Sequence, residues 1–108
     1  MQGQTINEAV AKLRVKPGLQ GTSQRIDKDW TIFFGYVRDE KFFYLDLHYG
    51  FRKTRMQLAP EDVETRTRST WMTDATYRLS AVGLVKAESE VRRIIETVAA
   101  RRAQQGEK

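Results

Sequence analysis

The period of the apolar positions changes twice along the chain and divides it into three parts. Near the start, Ile6, Ala9, Val10 and Leu13 recur at helical spacing. Thr5 precedes them and Glu8 lies three residues on, the spacing at which hydroxyl and carboxylate cap each other's backbone N–H. The pattern predicts a helix over 5–15. "KPGLQG" ends it, because Pro17 cannot continue the hydrogen bonding and Gly18 and Gly21 accept turn geometry.

The middle of the chain has period two. Residues 30–37 are aromatic and β-branched, and 38–41, "RDEK", form a polar break of hairpin length. In 42–49, Phe43, Leu45, Leu47 and Tyr49 alternate with Phe42, Tyr44, Asp46 and His48. The first set is expected to face a core and the second to be half-exposed. Gly50 suits a second tight turn, after which a strand over 52–58 points Met56 and Leu58 inward and Arg55 and Gln57 outward. Residues 22–28 supply a further edge strand. Pro60, Glu61 and Asp62 resemble a first helical turn, yet "VETRTRSTW" alternates as a strand does. The alternation favours a turn at 59–62 and a strand over 63–71, with a helix as the other option.

Helical spacing then returns. Ala75, Leu79 and Val82 share a helix face, Thr73 or Asp74 can cap it and Gly83 can end it, so a short helix is expected over 74–82. Tyr77, Leu79 and Ala81 also alternate as in a strand. Val91, Ile94, Ile95 and Val98 form an apolar stripe, with Glu88 and Glu90 near its start and Arg101 and Arg102 near its end, as the helix dipole prefers. This predicts a helix over 86–103. The expected architecture is α+β: an antiparallel meander of three to five strands, packed on a long C-terminal amphipathic helix, with an N-terminal helix at its side. A length of 108 residues suits a single domain over 1–108, with 1–4 and 104–108 as flexible ends.

Composition narrows the chemistry. There is no cysteine, which excludes disulfides, thiolate metal sites and a cysteine nucleophile. No window approaches eighteen apolar residues, and "MQGQTINEAV" is not a basic region followed by an apolar run. Neither a membrane span nor a signal peptide is expected, and the expected location is cytoplasmic. His48 is the single histidine, so a two-histidine metal site is impossible. Asp46 and His48 share a strand face, which alternation alone produces. Paired acids at Asp39–Glu40 and Glu61–Asp62 sit in turns, and the scattered glycines form no phosphate loop. The expectation is a protein that is not an enzyme, with no cofactor and no metal.

The formal net charge is +5, and no acid interrupts the stretch between Asp46 and Glu61. A binder of single-stranded nucleic acid needs exposed rings for bases and nearby cations for phosphates. Phe42, Tyr44 and His48 on one strand, with Arg52, Lys53 and Arg55 on the next, could supply both, and Arg66 and Arg68 extend the set if 63–71 pairs as a strand. Asp46 is the awkward member, since it points with the rings and repels phosphate. Arg92, Arg93, Arg101 and Arg102 form a second basic set, read as a solvated helix face and a helix C-terminus. Trp71 and Met72 are candidates for a protein interface or homodimer contact. The leading expectation is a small accessory protein that binds nucleic acid through a basic, aromatic sheet face. The alternative is a protein–protein adaptor or inhibitor acting on a larger complex, of the kind a phage or other mobile element encodes.

Overall fold

A computed structural model describes residues 4–16, 18–67 and 75–104, with the backbone alone at 66, 67 and 75. The elements are helix α1 (Ile6–Lys12), strands β1 (Val15–Lys16), β2 (Gln20–Arg25), β3 (Trp30–Val37), β4 (Phe42–Tyr49) and β5 (Arg52–Gln57), a 3-10 turn (Pro60–Asp62), strands β6 (Val63–Thr67) and β7 (Ala75–Leu79), and helix α2 (Ala81–Gln104). The fold is α+β: an antiparallel, curled sheet with an N-terminal and a C-terminal helix. Among the described residues the sheet has seven strands, ordered β5-β4-β3-β2-β1-β7-β6, more than the three to five expected.

The central hairpins follow the sequence closely. β3 and β4 pair along their whole length, from Trp30 opposite Tyr49 to Val37 opposite Phe42. Gly50, with φ 59°, takes the first central position of the two-residue β4–β5 turn, where a right-twisted hairpin needs positive φ. The Thr5–Glu8 capping box is present, with both bonds at 3.0 Å.

Three expectations need correction, and in the first and third sheet pairing overrides local helical spacing. The first helix stops at Lys12 rather than 15. The Thr22 hydroxyl accepts from the Arg14 N–H and donates to the Arg14 carbonyl, both at 2.9 Å, which draws the next residues into the sheet as β1. The segment 22–28 was expected at an edge, but β2 lies inside the sheet, between β3 and β1. The helix expected over 74–82 is strand β7, whose Tyr77 and Leu79 pair opposite Thr65 and Val63. α2 therefore starts at 81 rather than 86. Its cap is Ser80, whose Oγ accepts from the Gly83 N–H at 3.1 Å.

The curl has a simple cause. β5 and β6 are the two outermost strands, yet only residues 58–62 join them. An extended connection of that length reaches about 20 Å, whereas the edges of a flat seven-stranded sheet lie ~29 Å apart. The sheet must bend until its ends approach. The Phe43 ring of β4 accordingly lies 5.0 Å from that of Tyr77 in β7, across four strand spacings.

Both helices fill the concave side. Ala9 and Val10 of α1, its capping residue Leu13, and Ala87 and Val91 of α2 form one core with Trp30, Ile32, Phe34, Leu45 and Leu47. The start of α2 is pinned to the 3-10 turn. The Ser80 N–H donates to the Asp62 carbonyl at 2.8 Å, and a Cβ on Gly83 would lie 2.0 Å from that oxygen. Gly83→Ala should therefore destabilise the protein by about 1–3 kcal/mol, a fall in Tm of roughly 5–15 °C, although alanine is the better helix former. Thermal denaturation followed by circular dichroism checks this, and an unchanged or raised midpoint would refute the close contact.

Candidate nucleic-acid interface

Strand alternation sends half the residues of β2–β5 to the convex side, away from both helices. Register places Thr31 opposite His48, Phe33 opposite Asp46 and Gly35 opposite Tyr44, and on the next strand Arg55 opposite Asp46 and Lys53 opposite His48. Together with Ser23, these residues other than Gly35 line a shallow open depression of about 570 Å³ built wholly from strands.

The centre of this face is a stack. The Tyr44 ring lies across Gly35, where a Cβ would come within 2.5 Å of the phenol oxygen. A strand glycine covered by a ring is a recurrent device for filling the missing side chain. Phe33 and Phe42 lie against Tyr44 at centroid distances of 6.0 and 6.3 Å. The Arg55 guanidinium carbon lies over the Tyr44 ring, 3.9 Å from its centroid. Arg55 is held there by Asp46: Nε donates to Oδ1 at 2.8 Å and Nη2 to Oδ2 at 2.9 Å. This planar, two-bond pairing orients the guanidinium as a lysine could not.

The pair resolves the awkward carboxylate. Asp46 is only 3% exposed, and its charge is matched by the cation lying over it. The hydrogen bond to Asp46 also raises the Arg55 pKa above its usual value, so Arg55 is charged at every working pH. Asp46 and His48 share the face, but both carboxylate oxygens are taken by Arg55. Among the described residues, no group of three histidine or acidic side chains could hold a metal ion.

Of the residues singled out from sequence, Phe42, Tyr44, His48, Lys53 and Arg55 come together on this convex side. Phe42 and Tyr44 are half-buried, while His48, Lys53 and Arg55 are exposed. Arg52 does not join them. It alternates to the opposite side of β5, beside α2. Arg66 pairs through its backbone with Thr76 in the β6–β7 hairpin, at the other end of the sheet order. Arg68, Trp71 and Met72 lie outside the described residues. Sequence reasoning missed Phe33 as a ring of this face, although its odd position in β3 was a usable signal. It also left out Phe51, fully exposed at the β4–β5 turn.

No protein-family model matches the chain, and comparison with curated proteins and with solved structures gives no match either. No helix among the described residues is long and apolar enough to cross a membrane.

The stack predicts its own stability signature. Arg55→Ala should lower the urea midpoint by uncovering a buried carboxylate. Arg55→Lys should recover only part of the loss, because one ammonium cannot reproduce both bonds and the ring contact. Full recovery with lysine would show that charge alone, rather than the planar pairing, holds the site.

Proposed function

We propose that the protein is a non-enzymatic accessory module that binds single-stranded nucleic acid on the convex face of β2–β5. The observation that carries this reading is the exposed, cationic plane of Arg55 stacked on Tyr44, beside half-buried Phe33 and Phe42 and flanked by Lys53 and His48. Unpaired bases stack on aromatic rings and on guanidinium planes. Lys53 supplies a phosphate partner at the edge, and Phe51 adds a ring beyond it. Neutralisation of Asp46 removes the repulsion that its charge would otherwise impose.

A second reading, a protein adaptor or inhibitor, is favoured by one feature. A groove of about 460 Å³ opens where the sheet curls back on itself, with Tyr36, Phe42, Phe43, Leu58 and Tyr77 as its apolar members beside the charged Glu40 and Lys41. Its ligand would be a protein segment held mainly by contact with these rings and aliphatic groups, with less dependence on salt than a polyanion.

Fluorescence anisotropy with labelled single-stranded DNA and RNA separates the two. Under the first reading the logarithm of the affinity falls linearly with the logarithm of salt concentration. Lys53→Ala should then flatten the slope by about 0.7, the value for one phosphate contact on a single strand. Phe42→Ala should weaken binding by about 1–3 kcal/mol. Absence of saturable binding at low salt, or binding indifferent to salt, would remove the nucleic-acid reading.

A further inference from the structure

The basic strand β5 is an edge strand, and its alternation divides its cations between two surfaces. Lys53 and Arg55 go to the convex face, whereas Arg52 and Thr54 turn toward α2. There they meet Arg93, Thr97 and Arg101. These three residues are spaced by four along the helix and therefore share one face of it. The two elements enclose a cleft of about 190 Å³. That is the room of roughly six water molecules at ~30 Å³ each, enough for a phosphate or pyrophosphate group.

We propose that this cleft is a phosphate-binding site. Three arginines, Arg52, Arg93 and Arg101, line it, and no acidic residue does so among the described residues. Arg52 and Arg101 have no ion-pair partner among the described residues. Arg93 is paired with Glu90, one helical turn away, through Nε to Oε1 at 3.3 Å and through Nη2 to Oε2, so its charge is already balanced and the pair fixes its position at the cleft wall. Arg102 lies over the ring of Tyr49, a residue of the cleft lining, with its guanidinium carbon 5.2 Å from the centroid. The floor is the stacked pair Trp30 and Tyr49, 4.5 Å apart, with Ile94 and Val98. An apolar floor lowers the local dielectric and strengthens the attraction between the guanidinium groups and an anion above it. Guanidinium forks match the spacing of phosphate oxygens. Arg52 and Arg101 approach from two elements with no carboxylate among the described residues to balance them, and an anion shared between them would do so.

The proposal deepens the nucleic-acid reading, on which it rests for the identity of the phosphate's owner: a strand passing around the β5 edge would leave bases on the convex face and a phosphate in the cleft. The test uses two probes on the full chain. Inorganic pyrophosphate is titrated while backbone amide shifts are followed by NMR, and labelled single-stranded DNA is titrated by anisotropy over a range of salt. The variants are Arg52→Ala with Arg101→Ala, and Arg92→Ala as a control that removes one positive charge from the helix outside the cleft lining. Pyrophosphate should give saturable shifts centred on 52–54 and 93–101. The double variant should weaken this binding by about tenfold or more, as expected for the loss of charge-assisted hydrogen bonds, with far less effect from Arg92→Ala. The double variant should also reduce the DNA salt slope by about 1.4.

Unmoved cleft amides, or a double variant no weaker than Arg92→Ala, would overturn the site even if DNA still binds through the sheet. Should pyrophosphate saturate the cleft while no oligonucleotide binds, the cleft stands with a free phosphate as its ligand and the sheet-face reading falls.

Discussion

Residues 58–62 tie the first edge of the sheet to the last, and this short tether shapes the rest of the molecule. Its centre is Asp62, which is 1% exposed. The carboxylate accepts from the Ala59 N–H at 2.8 Å and from the Lys86 ammonium at 3.1 Å. Its own carbonyl accepts from Ser80, while the Ser80 hydroxyl donates to the Glu61 carbonyl at 2.7 Å. A buried carboxylate is stable only when paired and hydrogen-bonded in this way. One residue thus closes the tether, ends β7 and sets where α2 begins. The direction of α2 across the concave face follows, and with it the position of Arg93 and Arg101 against β5.

The curl also divides labour between the two sides of the sheet. On the concave side, rings such as Trp30, Phe34 and Tyr49 are used up by packing. On the convex side of β2–β5 no helix among the described residues lies above the rings. Arg55 covers Tyr44 and binds Asp46, so one cation solves a packing problem and a charge problem together. Its plane is what remains available to a ligand. β5, lying at the edge, is open along its length and can present cations to both sides. A central strand with the same sequence would have buried its backbone edge between neighbours and could not offer a path from one surface to the other.

The ion pairs follow the same economy of position. Glu90 is held below the usual carboxylate range by its hydrogen bond from Arg93, so this tie persists as the pH falls until the lowered value is reached. Above the ordinary glutamate range the contribution is fully present. Arg93 therefore keeps its place at the cleft wall throughout neutral conditions, with its own charge reinforced by the same bond.

Local chemistry alone determined the parts whose contacts are near in sequence. The α1 cap, the Trp30–Tyr49 hairpin, the Gly50 turn and the inward set Phe43, Leu45, Leu47 and Tyr49 follow from period and turn residues, because each is satisfied by neighbours within a few positions. The convex grouping of Phe42, Tyr44, His48, Lys53 and Arg55 was legible for the same reason: alternation on paired strands fixes side-chain direction. What the tertiary structure decided involves partners far along the chain. Val15 and Ala75–Leu79 carry helical spacing, but pairing with one another and with β2 and β6 satisfies more backbone groups than another helical turn would. The number of strands, the placing of β2 inside the sheet, and the meeting of Arg52 with Arg93 and Arg101 depend on how the ends of a long ribbon close. That closure is set by a five-residue tether and a buried aspartate, and no local period records it.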